Sequence, residues 1–149
     1  YMALLENKKV GFEYEILEKL EAGVELLGME VKSLRGGRGS LLGARVLVRG
    51  GEAYVIGFSI PAYQTNNVPT DYTPDRNKKL LLTKKEISRL VGVEKEKGLT
   101  IVPISMYNKG RKLKMAIAIV RGKKKYDKRE TLKKKDSERD VARTLKNRE

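Results

Sequence analysis

With 149 residues and a formal net charge of +14, the chain suits one compact domain with an appendage, and its expected partner is a polyanion, nucleic acid first. It has no cysteine and no histidine, which excludes disulfides, thiolate metal sites, the usual imidazole ligand of zinc and the usual general base near neutral pH. No apolar run approaches the roughly 20 residues that span a bilayer and no signal-peptide pattern opens the sequence, so a cytoplasmic protein with no membrane partner is expected.

In chain order, Phe12, Tyr14 and Ile16 alternate with acids, the period of two of a half-buried strand. Glu21-Ala22-Gly23 reads as a bend or bulge, and Val24 to Leu27 resumes the extended pattern. Met29, Val31 and Leu34, followed by Gly36-Gly37, predict a short helix from about Gly28 to Arg35 with a glycine C-cap. Gly37 to Gly43 reads as a loop. Arg45 to Val48 and Glu52 to Ile60 form a predicted hairpin, Gly50-Gly51 supplying the positive φ of its turn. Pro61 to Lys79 is long for a connection inside a small domain, which points to function or to disorder.

Leu80-Leu81-Leu82 is a short apolar run. Thr83 with Glu86 makes a capping box for a helix whose apolar face is Ile87, Leu90 and Val91, which Gly92 weakens and Gly98 ends. A second hairpin runs from Leu99 to Tyr107, turns at Asn108-Lys109-Gly110 and returns from Arg111 to Val120. In its second strand Leu113, Met115, Ile117 and Ile119 alternate with Lys112, Lys114, Ala116 and Ala118, so one face enters the core and the other is partly basic. The sum is mainly β: about six strands and two short helices, fitting an OB-type barrel over residues 1–120, with a flat open α+β sheet as the alternative.

Residues 121–149 differ in kind. They hold 13 Lys or Arg against 6 Asp or Glu, half of the net charge, and only Tyr126, Leu132, Val141, Ala142 and Leu145 as larger apolar or Ala side chains. So few cannot offset roughly 1–2 kcal/mol of backbone ordering entropy per residue. There is no proline, and Glu130 with Lys134 and Asp140 with Arg143 sit at helical spacing. The expectation is a basic tail, disordered when free and helical on a polyanion; a merely solvated terminus is the bland alternative.

Catalytic patterns are absent. Gly36-Gly37-Arg38-Gly39 lacks the Lys-Ser/Thr of a P-loop, and the serines have no histidine to activate them. No catalytic residue, metal or cofactor is expected. Basic clusters at Lys8-Lys9, Lys32 and Arg35, Arg76-Asn77-Lys78-Lys79, Lys84-Lys85 and Lys123-Lys124-Lys125 suit phosphate neutralisation. Tyr14, Tyr63, Tyr72 and Tyr126 are candidate stacking residues, core packing being preferred for Tyr14. Glu21 is either a surface acid or an acceptor for a nucleobase edge or 2′-OH.

Several spaced motifs, in order, carry a family resemblance. Glu21-Ala22-Gly23, Gly28-x-Glu30-Val31-Lys32-Ser33-Leu34-Arg35, Lys79-Leu80-Leu81-Leu82, Glu96-Lys97-Gly98-Leu99-Thr100 and Arg121-Gly122-Lys123-Lys124-x-Tyr126-Asp127-Lys128-Arg129 together resemble the SmpB, or SsrA-binding protein, family. The resemblance implies a non-enzymatic OB-type adaptor, expected to be a monomer. It would bind the tRNA-like domain of transfer-messenger RNA (tmRNA, SsrA RNA) and deliver it to stalled ribosomes for trans-translation. It further implies that Asn7, Lys8, Glu21, Lys32, Arg35, Lys78, Lys79 and Leu81 face tmRNA. Tyr126, Asp127, Lys128, Arg129 and the Leu145-Lys146 pair would serve a tail that probes the empty decoding centre and mRNA channel, against rRNA. Where the family carries Asp-Pro-x-Arg-x-Arg, this chain has Thr73-Pro74-Asp75-Arg76-Asn77-Lys78. A ribosomal OB protein with a permanently threaded tail and an RNA-modifying enzyme using lysine and acids are the rival readings.

Overall fold

The computed structural model describes residues 3–63 and 71–123. The chain enters through β1 (Ala3–Glu6) and one turn of helix, α1 (Val10–Glu13), before the long β2 (Tyr14–Val24). Then follow α2 (Gly28–Arg35), the hairpin β3 (Arg45–Arg49) and β4 (Glu52–Ile56), and β5 (Lys78–Leu81). After α3 (Lys84–Glu94), the hairpin β6 (Leu99–Lys109) and β7 (Lys112–Gly122) completes the body. All seven strands belong to one antiparallel sheet in the order β1-β6-β7-β2-β5-β4-β3.

Side-chain parity decides which face is the core. In β7, Met115, Ile117 and Ile119 point inward, opposite Ala22 and Leu20 of β2, and meet Val46 and Val55 from the first hairpin, Leu34 of α2 and Leu90 of α3. Each such large apolar side chain removed from water contributes roughly 1.5–3 kcal/mol. The sheet curls until β3 lies against β6 without pairing to it. At this seam Glu94, the last residue of α3, accepts the Val48 N–H at 2.7 Å and approaches Arg49 Nη1 at 3.4 Å. The carboxylate thus satisfies a strand edge that would otherwise offer a free donor. The result is an OB-like barrel.

Local signals held well. The predicted helix over 28–35 forms with those bounds, and Gly37, at φ 76°, ends it in a Schellman motif: its N–H reaches the Leu34 carbonyl at 2.9 Å, and that of Arg38 reaches Ser33 at 2.9 Å. The capping box of α3 is also present, Glu86 N donating to Thr83 Oγ1 at 3.1 Å and Thr83 N to Glu86 Oε1 at 2.9 Å. Gly39 is required twice over: its φ is 141°, and a Cβ there would come within 3.0 Å of Leu5 Cδ1 and 3.2 Å of the Ser59 carbonyl.

Four expectations need correction. There are three helices among the described residues rather than two, although the seven strands agree with the expected six or so. The extra helix, α1, covers the first part of the stretch predicted as strand. It drops Val10 onto an outer-face cluster with Val102, Ala118 and Val120, against which Tyr14 packs, and the period of two takes over only at Tyr14. Glu21-Ala22-Gly23 is regular strand, paired to Ala116, Met115 and Lys114; the irregularity lies earlier, between Ile16 and Glu18. β7 runs two residues past Val120, and the Lys123 N–H donates to the Glu13 carbonyl at 2.9 Å.

Candidate RNA interface

The parity that sends Ala22 and Met115 inward turns Glu21, Gly23, Lys114 and Ala116 outward. Glu21 stands opposite Ala116, whose small side chain lets the carboxylate reach across β7 to β6. There Oε2 accepts the Tyr107 hydroxyl, and Oε1 accepts Lys109 Nζ at 3.0 Å. The Tyr107 hydrogen bond first, and then that of Lys109, holds the Glu21 carboxyl below the usual carboxylate range, so it is an ionised acceptor near neutral pH.

One strand over, Gly23 faces Leu81 of β5. Lacking a side chain, it lets Leu81 lie flat, for a Cβ on Gly23 would stand 3.2 Å from Leu81 Cβ and 3.3 Å from its Cδ1. Leu81 remains 54 % exposed, an apolar platform on a polar face. Beyond it, Glu52 of β4 accepts Tyr54 Oη at 2.6 Å and Lys79 Nζ at 2.9 Å, contacts that lower the Glu52 pKa and raise that of Lys79.

Glu21, Gly23, Glu52, Lys79, Leu81 and Lys114 border one open depression of about 570 Å³, with the N-terminus of α3 at its side. A second depression, about 320 Å³, shares Leu81 and Lys114 and adds Arg35, Arg111 and Lys112. Arg35 Nη2 donates to the Arg111 carbonyl at 3.0 Å, which fixes α2 beside the β6–β7 turn. Residues distant in sequence, Glu21, Arg35, Lys79 and Leu81, are therefore brought to one continuous face.

Other candidates lie elsewhere. Lys32 is exposed on α2, its Nζ 5.9 Å from the centre of the Tyr63 ring. Lys8 is exposed in the turn before α1, while the Asn7 amide donates to the carbonyls of Leu41 at 3.2 Å and Pro103 at 3.4 Å. Lys123 Nζ donates to the Gly11 carbonyl at 2.9 Å. Lys124, Tyr126, Asp127, Lys128, Arg129, Leu145 and Lys146 lie outside the described residues.

Two basic residues predicted to face RNA point inward. Lys78 is fully buried; its ammonium donates to the carbonyls of Phe58 at 2.6 Å, Arg76 at 2.8 Å and Pro74 at 3.2 Å, and lies 5.3 Å from the Phe58 ring centre. Arg76 forms a two-point pair with the buried carboxylate of Glu30, with Nε to Oε2 at 3.0 Å and Nη2 to Oε1. Glu30 also accepts the Leu27 N–H at 2.7 Å and the Tyr72 hydroxyl at 3.2 Å. Tyr72, a predicted stacking residue, shares its one hydroxyl proton between Glu30 and the nearer Ile60 carbonyl at 2.7 Å, and burial first, then Glu30, pushes its pKa up to about 12.

The sequence reading missed Tyr107, Lys109, Glu52 and Tyr54 as members of the face. The usable signal was parity: once Met106 and Met115 are assigned inward, Tyr107 and Lys114 must be outward neighbours.

Fold and face define the class: an OB-type barrel whose outer sheet joins fixed hydrogen-bonding groups to basic side chains, an arrangement for binding an oligonucleotide. The family model described as SmpB protein matches residues 4–147. The SsrA-binding protein of Microcystis aeruginosa is 48% identical over 143 residues, covering 96% of this chain and 93% of its own. That of Magnetococcus marinus is 46% identical over 146 residues, covering 98% and 97%. A solved structure described as "tmRNA-SmpB: a journey to the center of the bacterial ribosome" superposes with a TM-score of 0.68 at 41% identity, covering 81% of this chain and 85% of that one. The chain belongs to the SmpB family.

Proposed function

We propose that this protein is a non-catalytic adaptor that binds the tRNA-like domain of tmRNA through its barrel and carries it to stalled ribosomes for trans-translation. The observation that carries the reading is the convergence of Glu21, Arg35, Lys79 and Leu81 on one outer face, in a chain of this family. An ionised, pre-oriented Glu21 suits a nucleobase edge or a 2′-OH, and Leu81 offers a flat apolar contact to an unstacked base. Arg35 supplies phosphate contacts on this face, and Lys32 and Lys8 from elsewhere on the barrel; Lys78 and Arg76 act from inside, by holding β5 and α2 in place. Residues 1–120 would thus recognise tmRNA, while the basic residues 121–149, Tyr126 through Arg129 and Leu145-Lys146 among them, would meet rRNA in the empty decoding centre and mRNA channel. An unoccupied channel lined by phosphate attracts a tail of net +7, and a resident mRNA competes for the same space. Its place of work is then the cytoplasm, with the ribosomes; no helix among the described residues is long and apolar enough to cross a membrane.

Competition between a tRNA-like fragment of tmRNA and an unstructured RNA of equal length tests the reading. Wild type should prefer the tRNA-like fragment, Glu21→Ala should lose that preference, and a chain ending at Lys123 should keep it. Equal affinity for both RNAs, governed by the tail, would mean a general basic RNA binder instead.

A further inference from the structure

The acid–tyrosine–lysine arrangement around Glu21 occurs twice on this face. Glu21 holds Tyr107 and Lys109; Glu52, across Leu81, holds Tyr54 and Lys79. We propose that Glu52 is a second recognition carboxylate, the counterpart of Glu21, and that one nucleotide of the bound RNA lies over Leu81 between them, a base amino group or a ribose hydroxyl donating to Glu52. This rests on the RNA-binding function proposed above and names what that face reads.

Three features carry it. The first is spare capacity. An ionised carboxylate offers about four acceptor positions, and Tyr54 and Lys79 use one on each oxygen of Glu52, which leaves about two acceptor positions on the carboxylate itself. A ligand group that completes the Glu52 carboxylate must bring hydrogen-bond donors, as bases and riboses do and phosphates do not.

The second is charge. The lining of the depression sets Glu21, Glu52 and Glu86 against Lys79 and Lys114, and Glu21 is itself paired with Lys109, so this surface does not gather phosphate indiscriminately. The adjoining depression, by contrast, is bordered by Arg35, Arg111, Lys112 and Lys114, with no acid in its lining. Bases and sugar belong over the first and backbone phosphate over the second, with Leu81 and Lys114 common to both.

The third is size. A hollow of about 570 Å³ falls in the range of sites that hold a molecule of nucleotide dimensions, roughly 300–1,000 Å³. A plain surface ion pair on a hairpin explains the Lys79 contact alone. It gives no reason for the Tyr54 hydroxyl to fix the other oxygen, nor for the same pattern to recur at Glu21.

The test uses the full chain and its Glu52→Gln variant, each titrated with the tRNA-like fragment and with unstructured RNA over a range of salt. Glutamine keeps the shape and loses the charged acceptor. Binding of the tRNA-like fragment should weaken roughly tenfold, the scale of one hydrogen bond to a charged group. The unstructured RNA should not weaken, and because the Lys79 that the substitution frees acts on both RNAs alike, the ratio of the two affinities carries the result. If Glu52 only neutralises Lys79, E52Q binds both RNAs more tightly with a steeper salt slope, and the proposal fails; unchanged selectivity overturns it too. Tyr54→Phe, which keeps the ring and loosens the carboxylate, guards against a folding artefact: it should lose selectivity two- to threefold, and a variant equal to wild type counts against the idea. Failure of wild type itself to prefer the tRNA-like fragment would instead overturn the function on which the proposal rests.

Discussion

A carboxylate with no solvent exposure, Glu30, is where the barrel depends most on single residues. Arg76 and the Leu27 N–H supply three donors, and the Tyr72 hydroxyl, shared with the Ile60 carbonyl, adds a longer contact, so the buried charge is both paired and hydrogen-bonded. Arg76→Met would strand it. The expected loss is about 3–5 kcal/mol of unfolding free energy, read from urea melts against wild type. Lys78, beside this network, makes a different prediction. Burial, more than any neighbour, lowers its pKa to about 8 from an ordinary 10.5. Between those values the unfolded chain binds more protons than the folded one, so stability rises as pH climbs from 8 toward 10.5, and below pH 8 the full cost of holding the charge is present. Tyr72, raised to about 12, acts oppositely above pH 10: the unfolded chain loses its proton first, and stability falls. Urea melts at pH 7.5 and 9.5 should therefore show wild type gaining stability relative to Lys78→Met, and a parallel course for the two proteins would refute the assignment. These residues also mark a limit of the sequence. Arg76-Asn77-Lys78-Lys79 reads as one phosphate-binding run because composition reports charge without direction. Only the parity of β5, with Lys78 and Leu80 inward and Lys79 and Leu81 outward, divides it.

At the scale of elements, what is local was legible and what is cross-strand was not. α2 and the start of α3 follow from caps and glycines a few residues apart, and both hairpins from their turns. β1 and β5 exist because β6 and β2 offer partners far along the chain, and no short window contains that information. Glu21-Ala22-Gly23 was misread for the same reason, since glycine in a strand suggests a bulge until the neighbour it accommodates is known. That neighbour, Leu81, makes the glycine testable. Gly23→Ala puts a Cβ 3.2 Å from the Leu81 Cβ and 3.3 Å from its Cδ1, so the leucine must give by a few tenths of an ångström and re-seat on the face. The strand itself tolerates alanine, so the melting temperature should shift by no more than a few degrees, while affinity for the tRNA-like fragment falls several-fold, read by fluorescence anisotropy. Wild-type affinity in this variant would mean that the position of Leu81 does not matter to recognition.

For the whole molecule the decisive quantity is where charge sits. The last 29 residues carry 13 of the 33 Lys and Arg, whereas on the barrel several cations are held by carboxylates: Lys79 by Glu52, Lys109 by Glu21, Arg89 by Glu18. Cations already paired in this way release few counterions when RNA binds, and unpaired ones release many, so the two regions should differ in salt dependence more than in affinity. On an unstructured RNA, where each phosphate contact contributes about −0.7 to the slope of log K against log salt, the full chain should bind steeply, and a chain ending at Lys123 should lose most of that slope. On the tRNA-like fragment the same truncation should flatten the slope less and raise the preference over unstructured RNA, because the hydrogen bonds of the Glu21 and Glu52 face are not screened away. Anisotropy titrations at four or five salt concentrations give both slopes. Equal slopes with and without the tail would place the phosphate contacts on the barrel and remove the electrostatic division of labour. Unequal slopes, with selectivity kept by the truncated chain, would tie the strength of ribosome engagement to the tail and the choice of RNA to the barrel.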